Sequence, residues 1–367
     1  MASPDHALLA RIPSLDAARW CALQPQLDSP LMLTRPDGAG CAASLLTPAG
    51  QRAVSAFDPR RHAADLDALQ HHAITLVAAH EPDYPAALRV VPGAPAVLFV
   101  RGAVAALQQP QLAMVGSRHP TVNGARTARD LAFHFASLGF AITSGLAVGI
   151  DAASHGGALA ATGITVAVCG TGLDRIYPAQ HVELAAAICE RGALVSEFPP
   201  ASPPLAHHFA QRNRLISGLA LGVLVVEAAA RSGSLITARH AGEQGREVFA
   251  IPGSIHNPQS RGCHQLLRQG AVLVECAEDV LAELVIPSTN QLFAAHSSAG
   301  SAASAAVPSL DNPSEILLDA LGFEPTSLDA LITSTGLSST TVASLLMTLE
   351  NQGRVLSDAT GRYHRIP

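Results

Sequence analysis

The stretch VVEAAARSGSLITAR, Val225 to Arg239, runs from an apolar segment into a helical pattern through a turn of one Arg, two Ser and a Gly. A turn of that composition can hold an anion. Gly lets backbone N–H groups come close to a ligand, a helix start carries free N–H groups and partial positive charge, and Arg adds paired donors for phosphate oxygens. Taken alone, the turn is also a capped helix start. It is not alone, however. GSRHPTVNG (116–124), SGLAVGIDAASHGG (144–157), GTGLDRIYP (170–178) and EFPP (197–200), which leads to FAQRNRLISG (209–218), each follow a short apolar run. Together they offer Gly116, Ser117, Arg118, Ser144, Gly145, Gly149, Arg212, Asn213, Arg214, Arg231, Ser232, Gly233, Ser234 and Thr237 as candidate anion-binding residues. Phe209 is either core or a platform for a stacked base. The nearby acids Asp151, Glu197 and Glu227 are either general bases or partners for helix starts and Arg.

Other chemistries lack their residues. All 23 basic residues are Arg, so a Walker A, Schiff-base or kinase lysine is excluded. A GxGxxG with a following acid, an HExxH, a Cys/His metal spacing and a GxSxG are all missing. No cofactor or metal is expected. Net charge is −6, yet residues 101–268 hold 13 Arg against 9 acids and the remainder 10 Arg against 20. The locally basic middle is compatible with a phosphate backbone. The six Cys are scattered, as in free thiols of a reducing cytosol. No apolar run reaches the roughly 18 residues of a membrane span, and the N-terminus lacks a signal-peptide pattern. The expectation is a cytoplasmic protein.

These turns need elements to position them. From residue 111, apolar runs alternate with helical patterns: QLAMVG, FAITSG, TVAVCG, ALVSEF, GVLVVEA, EVFAIPG and AVLVEC, followed by helices over 124–138, 151–162, 179–191, 207–218, 235–245, 262–269 and 277–285. The fold class is therefore α/β, with a Rossmann-like, doubly wound, mostly parallel sheet. The runs are apolar on both parities, as in strands covered on both faces. In such sheets, ligands bind at the carboxyl ends of the strands, where the Gly-rich turns fall. Short helices are expected at 5–12 and 63–72, and residues 80–102 as a strap entering a strand. The domain reading is 1–75 helical, 76–285 Rossmann-like, 286–311 an Ala/Ser-rich linker, and 312–367 three helical segments and a hairpin, a winged helix.

The segments MVGSR (114–118), TSGLAVGIDAASHGGAL (143–159), TVAVCGTGLDRIYPAQH (165–181), SEFP (196–199), FAQRNRLISGLALGVLVVEAAARSGSLITAR (209–239), GREVFAIPGS (245–254) and GCHQLLRQGA (262–271) together resemble the DprA/Smf family of DNA-processing proteins. The resemblance implies a Rossmann-like core that binds single-stranded DNA without a known enzymatic reaction. It implies that incoming strands are passed to RecA in natural transformation and that RecA is helped to displace single-strand-binding protein. It also implies a homodimer whose surface overlaps the RecA contact, with His264 and Leu267 as candidates. Arg118, Phe209, Arg212 to Arg214 and Arg231 to Ser234 fall on the family's DNA-contacting segments. Residues 1–75 would be sterile-α-motif-like.

Two positions depart from the family pattern. Ala179 and Ala206 stand where basic residues are common, which should weaken phosphate contact; His207 and His208 could compensate at low pH. In the winged helix, the candidate recognition helix Ser338–Gln352 opens on SSTT and contains Glu350 but no Arg. Major-groove reading needs Arg, Asn or Gln there, so protein contacts or weak backbone contacts through Arg354, Arg362 and Arg365 are expected. A nucleotide phosphoribohydrolase remains the alternative, with Glu227 or Asp151 at the glycosidic bond and Arg231 on a 5′-phosphate. Its PGGxGTxxE stretch is replaced here by ARSGSLITA.

Overall fold

A computed structural model describes residues 2–35, 45–284, 314, 317–318, 321, 325–358 and 360–366. The expected linker, 286–311, lies outside the described residues. The chain divides into two compact units, 1–297 and 298–367.

The seven expected apolar runs are strands: β3 (Gln111–Val115), β4 (Ala141–Ser144), β5 (Thr165–Val168), β6 (Ala193–Ser196), β7 (Gly222–Val225), β8 (Glu247–Ala250) and β9 (Val272–Leu273). They lie parallel in the order β6-β5-β4-β3-β7-β8-β9. Every residue of β3 to β7 is buried, which is why these runs carry no polar alternation. The chain winds outward from β3 to β6 and then crosses back to place β7 against the other side of β3. A crevice opens at such a reversal, outside the carboxyl ends of the two strands.

The sheet also has two strands that the doubly wound pattern does not contain. β1 (Ile74–Ala78) pairs antiparallel with β2 (Val97–Gly102), and β2 pairs antiparallel with β6. The strap of 80–102 does end in a strand, and Tyr84 secures it by donating its hydroxyl to Pro95 O at 2.8 Å. A 3-10 helix (Pro4–Arg11) and helices α1 (Ala17–Leu23), α2 (Pro48–Ser55) and α3 (Pro59–His71) precede β1. Leu9, Trp20, Leu33 and Leu69 from this region share one apolar core with Leu76, Leu98 and Phe99 of the β1–β2 edge.

The crossovers are α4 (Val122–Ser137), α5 (Ile150–Ala160), α6 (Val182–Arg191), α7 (Ala206–Leu219), α8 (Ser234–Glu243) and α9 (Arg261–Arg268), and α10 (Ala277–Glu283) follows β9. The C-terminal unit is a winged helix. It has α11 (Leu328–Thr335), α12 (Ser339–Asn351) and a sheet of β10 (Thr326–Ser327), β12 (Arg362–Arg365) and β11 (Val355–Ser357), in that order. It keeps its own core, including Leu317, Leu331, Val342, Leu346 and Val355. Ser338 caps α12, its Oγ accepting from Thr341 N at 3.2 Å. The Glu350 carboxylate accepts from both N and Oγ of Ser357 and so holds the wing.

One buried group makes the larger unit sensitive to acid. His155 of α5 is fully buried, with Nδ1 2.7 Å from Thr165 Oγ1. That hydroxyl donates to Ile142 O at 2.6 Å, so it accepts from the ring, and the imidazole proton sits on Nδ1. Among the described residues, Nε2 is buried without a hydrogen-bond partner. Burial pushes the imidazole down to about 3, so its folded-state value lies below that of the unfolded chain. The associated stability is present above pH 6.5 and is lost as pH falls toward 3. Between pH 7 and 4.5 the wild type is expected to lose roughly 2–3 kcal/mol more than His155→Asn. Urea midpoints at the two pH values measure the difference, and parallel losses in both proteins would refute it.

Candidate functional site

The turns after β3 and β7 are fastened to each other beneath the crevice. Ser117 N donates to Glu227 O at 2.7 Å. The Glu227 carboxylate accepts from Thr121 N at 2.9 Å and from Thr121 Oγ1 at 2.6 Å. It therefore sits at the start of α4, where a negative charge is favoured. Gly124 makes room for it, since a Cβ there would lie 2.5 Å from both carboxylate oxygens. The turn after β4 joins from the other side. Ile150 N donates to Ser117 O at 3.1 Å, and Gly149 passes against Ser117 at φ +84°, where a side chain would collide with that carbonyl.

Helix α7 crosses this edge with two working faces. On one face, the Arg212 guanidinium is buried; it donates to Gly145 O at 2.6 Å, to Val168 O and to Asn213 Oδ1. It thereby ties the turn after β4 to the end of β5. A Cβ on Gly145 would lie 2.5 Å from this guanidinium, so the turn needs a glycine. Asp151 lies in the same layer and accepts from Gly145 N at 3.1 Å and Ala147 N at 3.3 Å. Burial pushes its carboxyl above the usual range, against the pull of Arg212 and of the N–H donors. Burial likewise lowers the Arg212 guanidinium from its ordinary value, with Asp151 opposing.

On the opposite face, Arg214 forms a 2.6 Å ion pair with Glu197. Gln211 joins it, its Nε2 3.1 Å from the same carboxylate. This pair lines a separate hollow with Leu9, Ile12 and Asp16 of the N-terminal segment.

The crevice itself has a volume of about 540 Å³. Of the candidates, Gly116, Ser117, Arg118, Phe209, Arg212, Asn213, Arg231, Ser232, Gly233, Ser234 and Thr237 line it. Ser144, Gly145, Gly149 and Arg214 do not. Ser144 is buried and donates Oγ to Met114 O at 2.6 Å, and the two glycines shape the wall from behind.

Arg118 and Arg231 are exposed and make no ion pair or hydrogen bond among the described residues. Ser232 and Ser234 hydroxyls lie 2.7 Å apart at the start of α8, where Ser232 Oγ accepts from Ser234 N at 3.3 Å beside the N-cap Gly233. Phe209 is half-buried, with Arg212 6.0 Å from its centre and the Tyr177 ring 5.3 Å away at a 43° tilt. Tyr177 is half-exposed.

Residue-type reasoning missed Tyr177, although it stands in the RIYP turn, and it missed the lining residues His119 and Gln259. His119 directly follows Arg118 in GSRH and was legible by position. Ala206 is on the lining, whereas His207 and His208 are not; His208 stacks on Phe198 at 4.0 Å.

The family model described as DNA recombination-mediator protein A matches residues 75–285, and a DprA winged helix domain matches 301–359. The chain is 52 % identical to protein Smf of Escherichia coli over 220 residues, 60 % of this chain and only 58 % of that protein. It is 36 % identical to protein Smf of Synechocystis over 312 residues, 78 % of each. Among solved structures, DNA processing protein A of Streptococcus pneumoniae has a TM-score of 0.67 at 34 % identity, covering 78 % of this chain and 99 % of that one. DNA processing protein A of Helicobacter pylori, whose structure concerns a single-stranded DNA binding mode, has a TM-score of 0.53 at 27 % identity, covering 59 % and 99 %.

The guanidinium groups of the crevice divide into one that holds loops and two that face solvent, and stability measurements separate them. Arg212→Ala leaves buried carbonyls unpaired and is expected to cost roughly 2–4 kcal/mol. Arg118→Ala and Arg231→Ala should stay within about 0.5 kcal/mol of wild type. Denaturant midpoints decide, and an equally stable Arg212→Ala would remove the loop-tying role.

Proposed function

The chain belongs to the DNA recombination-mediator protein A family, and from that premise we propose that it binds single-stranded DNA in the β3–β7 crevice. In this reading it catalyses no reaction. It acts as a mediator that loads RecA on incoming strands in natural transformation, in the cytoplasm, and bears on single-strand-binding protein only through RecA.

The observation that carries the proposal is a pairing of two facts. Arg118 and Arg231 project unpaired from the same crevice as the Phe209 ring, while the nearby carboxylates are engaged elsewhere. Free guanidinium groups and a helix start suit phosphate oxygens, and an aromatic ring suits an unstacked base. A pocket of this size takes splayed nucleotides rather than a duplex. The binding mode attributed to the Helicobacter pylori protein supports the same ligand.

The phosphoribohydrolase alternative needs a carboxylate free to act at a glycosidic bond. Glu227 is engaged by Thr121 and Asp151 by two turn N–H groups, which favours binding over hydrolysis. For self-association and RecA contact we assign α9, where His264 and Leu267 are partly exposed and His264 Nε2 lies 2.9 Å from Gly253 O.

Fluorescence anisotropy with labelled oligo-dT tests the ligand. Wild type is expected to prefer single strands to duplex, with affinity falling as salt rises. Phe209→Ala should weaken binding roughly 5- to 150-fold, and Arg118→Ala should also lower the salt slope by about 0.7 for each phosphate it leaves without a cation. No binding at low salt, or release of free base from nucleoside 5′-monophosphates, would favour the hydrolase. Leu267→Glu is expected to convert a dimer to monomer in sedimentation, and an unchanged mass would move the dimer surface off α9.

A further inference from the structure

The turn after β5 carries an aromatic ring that neither the core nor the crevice takes up. Tyr177 is 50 % exposed, its hydroxyl makes no hydrogen bond among the described residues, and it stands outside the crevice lining. It adjoins the crevice through Phe209, whose ring lies 5.3 Å from its own at a 43° tilt. The backbone around Tyr177 is pinned at both ends. Asp174 Oδ1 accepts from Ala201 N at 3.0 Å, and Gly172 N donates to Ser202 O at 3.2 Å. At the far end, buried His181 has Nδ1 2.9 Å from Leu146 O, in the turn after β4. An exposed ring on a pinned turn is pre-organised to meet a ligand.

Phe209 has limited free surface of its own. A Cβ at Gly170 would lie 2.8 Å from its Cδ1, so the ring packs on that backbone, and Arg212 stands 6.0 Å from its centre. The two rings already pair as tilted aromatic neighbours, which leaves no room for a base between them; a base stacks on the outer side of one or the other. The surface around the pair is poor in charge. Ala179 follows Tyr177 by two residues, Ala206 lies on the crevice lining three before Phe209, and Leu205 is exposed one turn before it. Arg175, the cation of this turn, lies 3.4 Å from Asp174. We infer that Tyr177 is a second base platform, which carries the nucleotide next to the one on Phe209, and that this wall holds its strand by bases and not by phosphates. The inference rests on the single-strand reading of the crevice and extends it. An aromatic face accepts any base, and a neutral wall releases no counterions. The two sides of the crevice then divide the work, with the backbone on Arg118 and Arg231 and the bases on Phe209 and Tyr177.

The test is anisotropy of the full-length protein with labelled oligo-dT and with a strand of the same length that lacks bases, across a salt series. Tyr177→Ala is expected to bind oligo-dT roughly 5-fold more weakly, the low end for one stacked base, with the salt slope unchanged. Tyr177→Phe should bind as wild type does. On the strand without bases, Tyr177→Ala and wild type should bind alike. The 5-fold loss should persist in a Phe209→Ala background. A loss that vanishes there overturns the platform, because Tyr177 would then act by positioning Phe209. Unchanged oligo-dT affinity in Tyr177→Ala, or a reduced salt slope, also overturns it and leaves the crevice standing. Wild type that does not bind oligo-dT overturns the single-strand reading itself, and the platform with it.

Discussion

The Glu227 carboxylate sits under the first turn of α4, and the geometry of the crevice hangs on that contact. It receives the N–H and hydroxyl of Thr121, while its own carbonyl receives Ser117 N. Two loops that leave neighbouring strands are thereby held at a fixed separation. Buried polar contacts of this kind stay fixed because every alternative leaves a desolvated group unpaired. Arg212 performs the matching task across the crevice by joining the turn after β4 to the end of β5. The groups that give the site its shape are buried, and those left to meet a ligand stand on top of them.

Much of this organisation was legible in the sequence. Runs apolar on both parities marked the seven parallel strands, and the Gly-rich turns marked the carboxyl edge. What escaped was mainly direction. RNR reads as two equivalent cations around an amide, yet residues two apart on a helix point about 200° apart. Arg212 is thus turned under the crevice, and Arg214 toward Glu197 on the other side. Ser144 was read as a donor because of its neighbours, but a strand residue flanked by buried positions points into the core. Strand β1 escaped because ITLVA follows α3 after a link of two residues and shows neither a turn signal nor alternation, whereas the strap of 80–102 pointed to β2.

Charge in this protein is organised by accessibility more than by count. The acids nearest the crevice are engaged by N–H groups or by an Arg, which leaves positive groups at the solvent boundary despite a net charge of −6. Field at a cleft depends on the groups facing it, so an acidic chain can present a cationic floor. With Arg as the sole basic residue type, every one of those contacts can be forked and planar.

Helix α7 is a wall of two compartments. Its Phe209–Asn213 face closes the crevice, and its Gln211–Arg214 face closes the hollow beside Leu9 and Ile12. A rod that is shared in this way cannot roll to suit one neighbour without disturbing the other. Repacking of Leu9, Ile12 or Asp16 that shifts Arg214 is therefore carried through one helix to the crevice, since the N-terminal layer and the binding edge are two tenants of one partition.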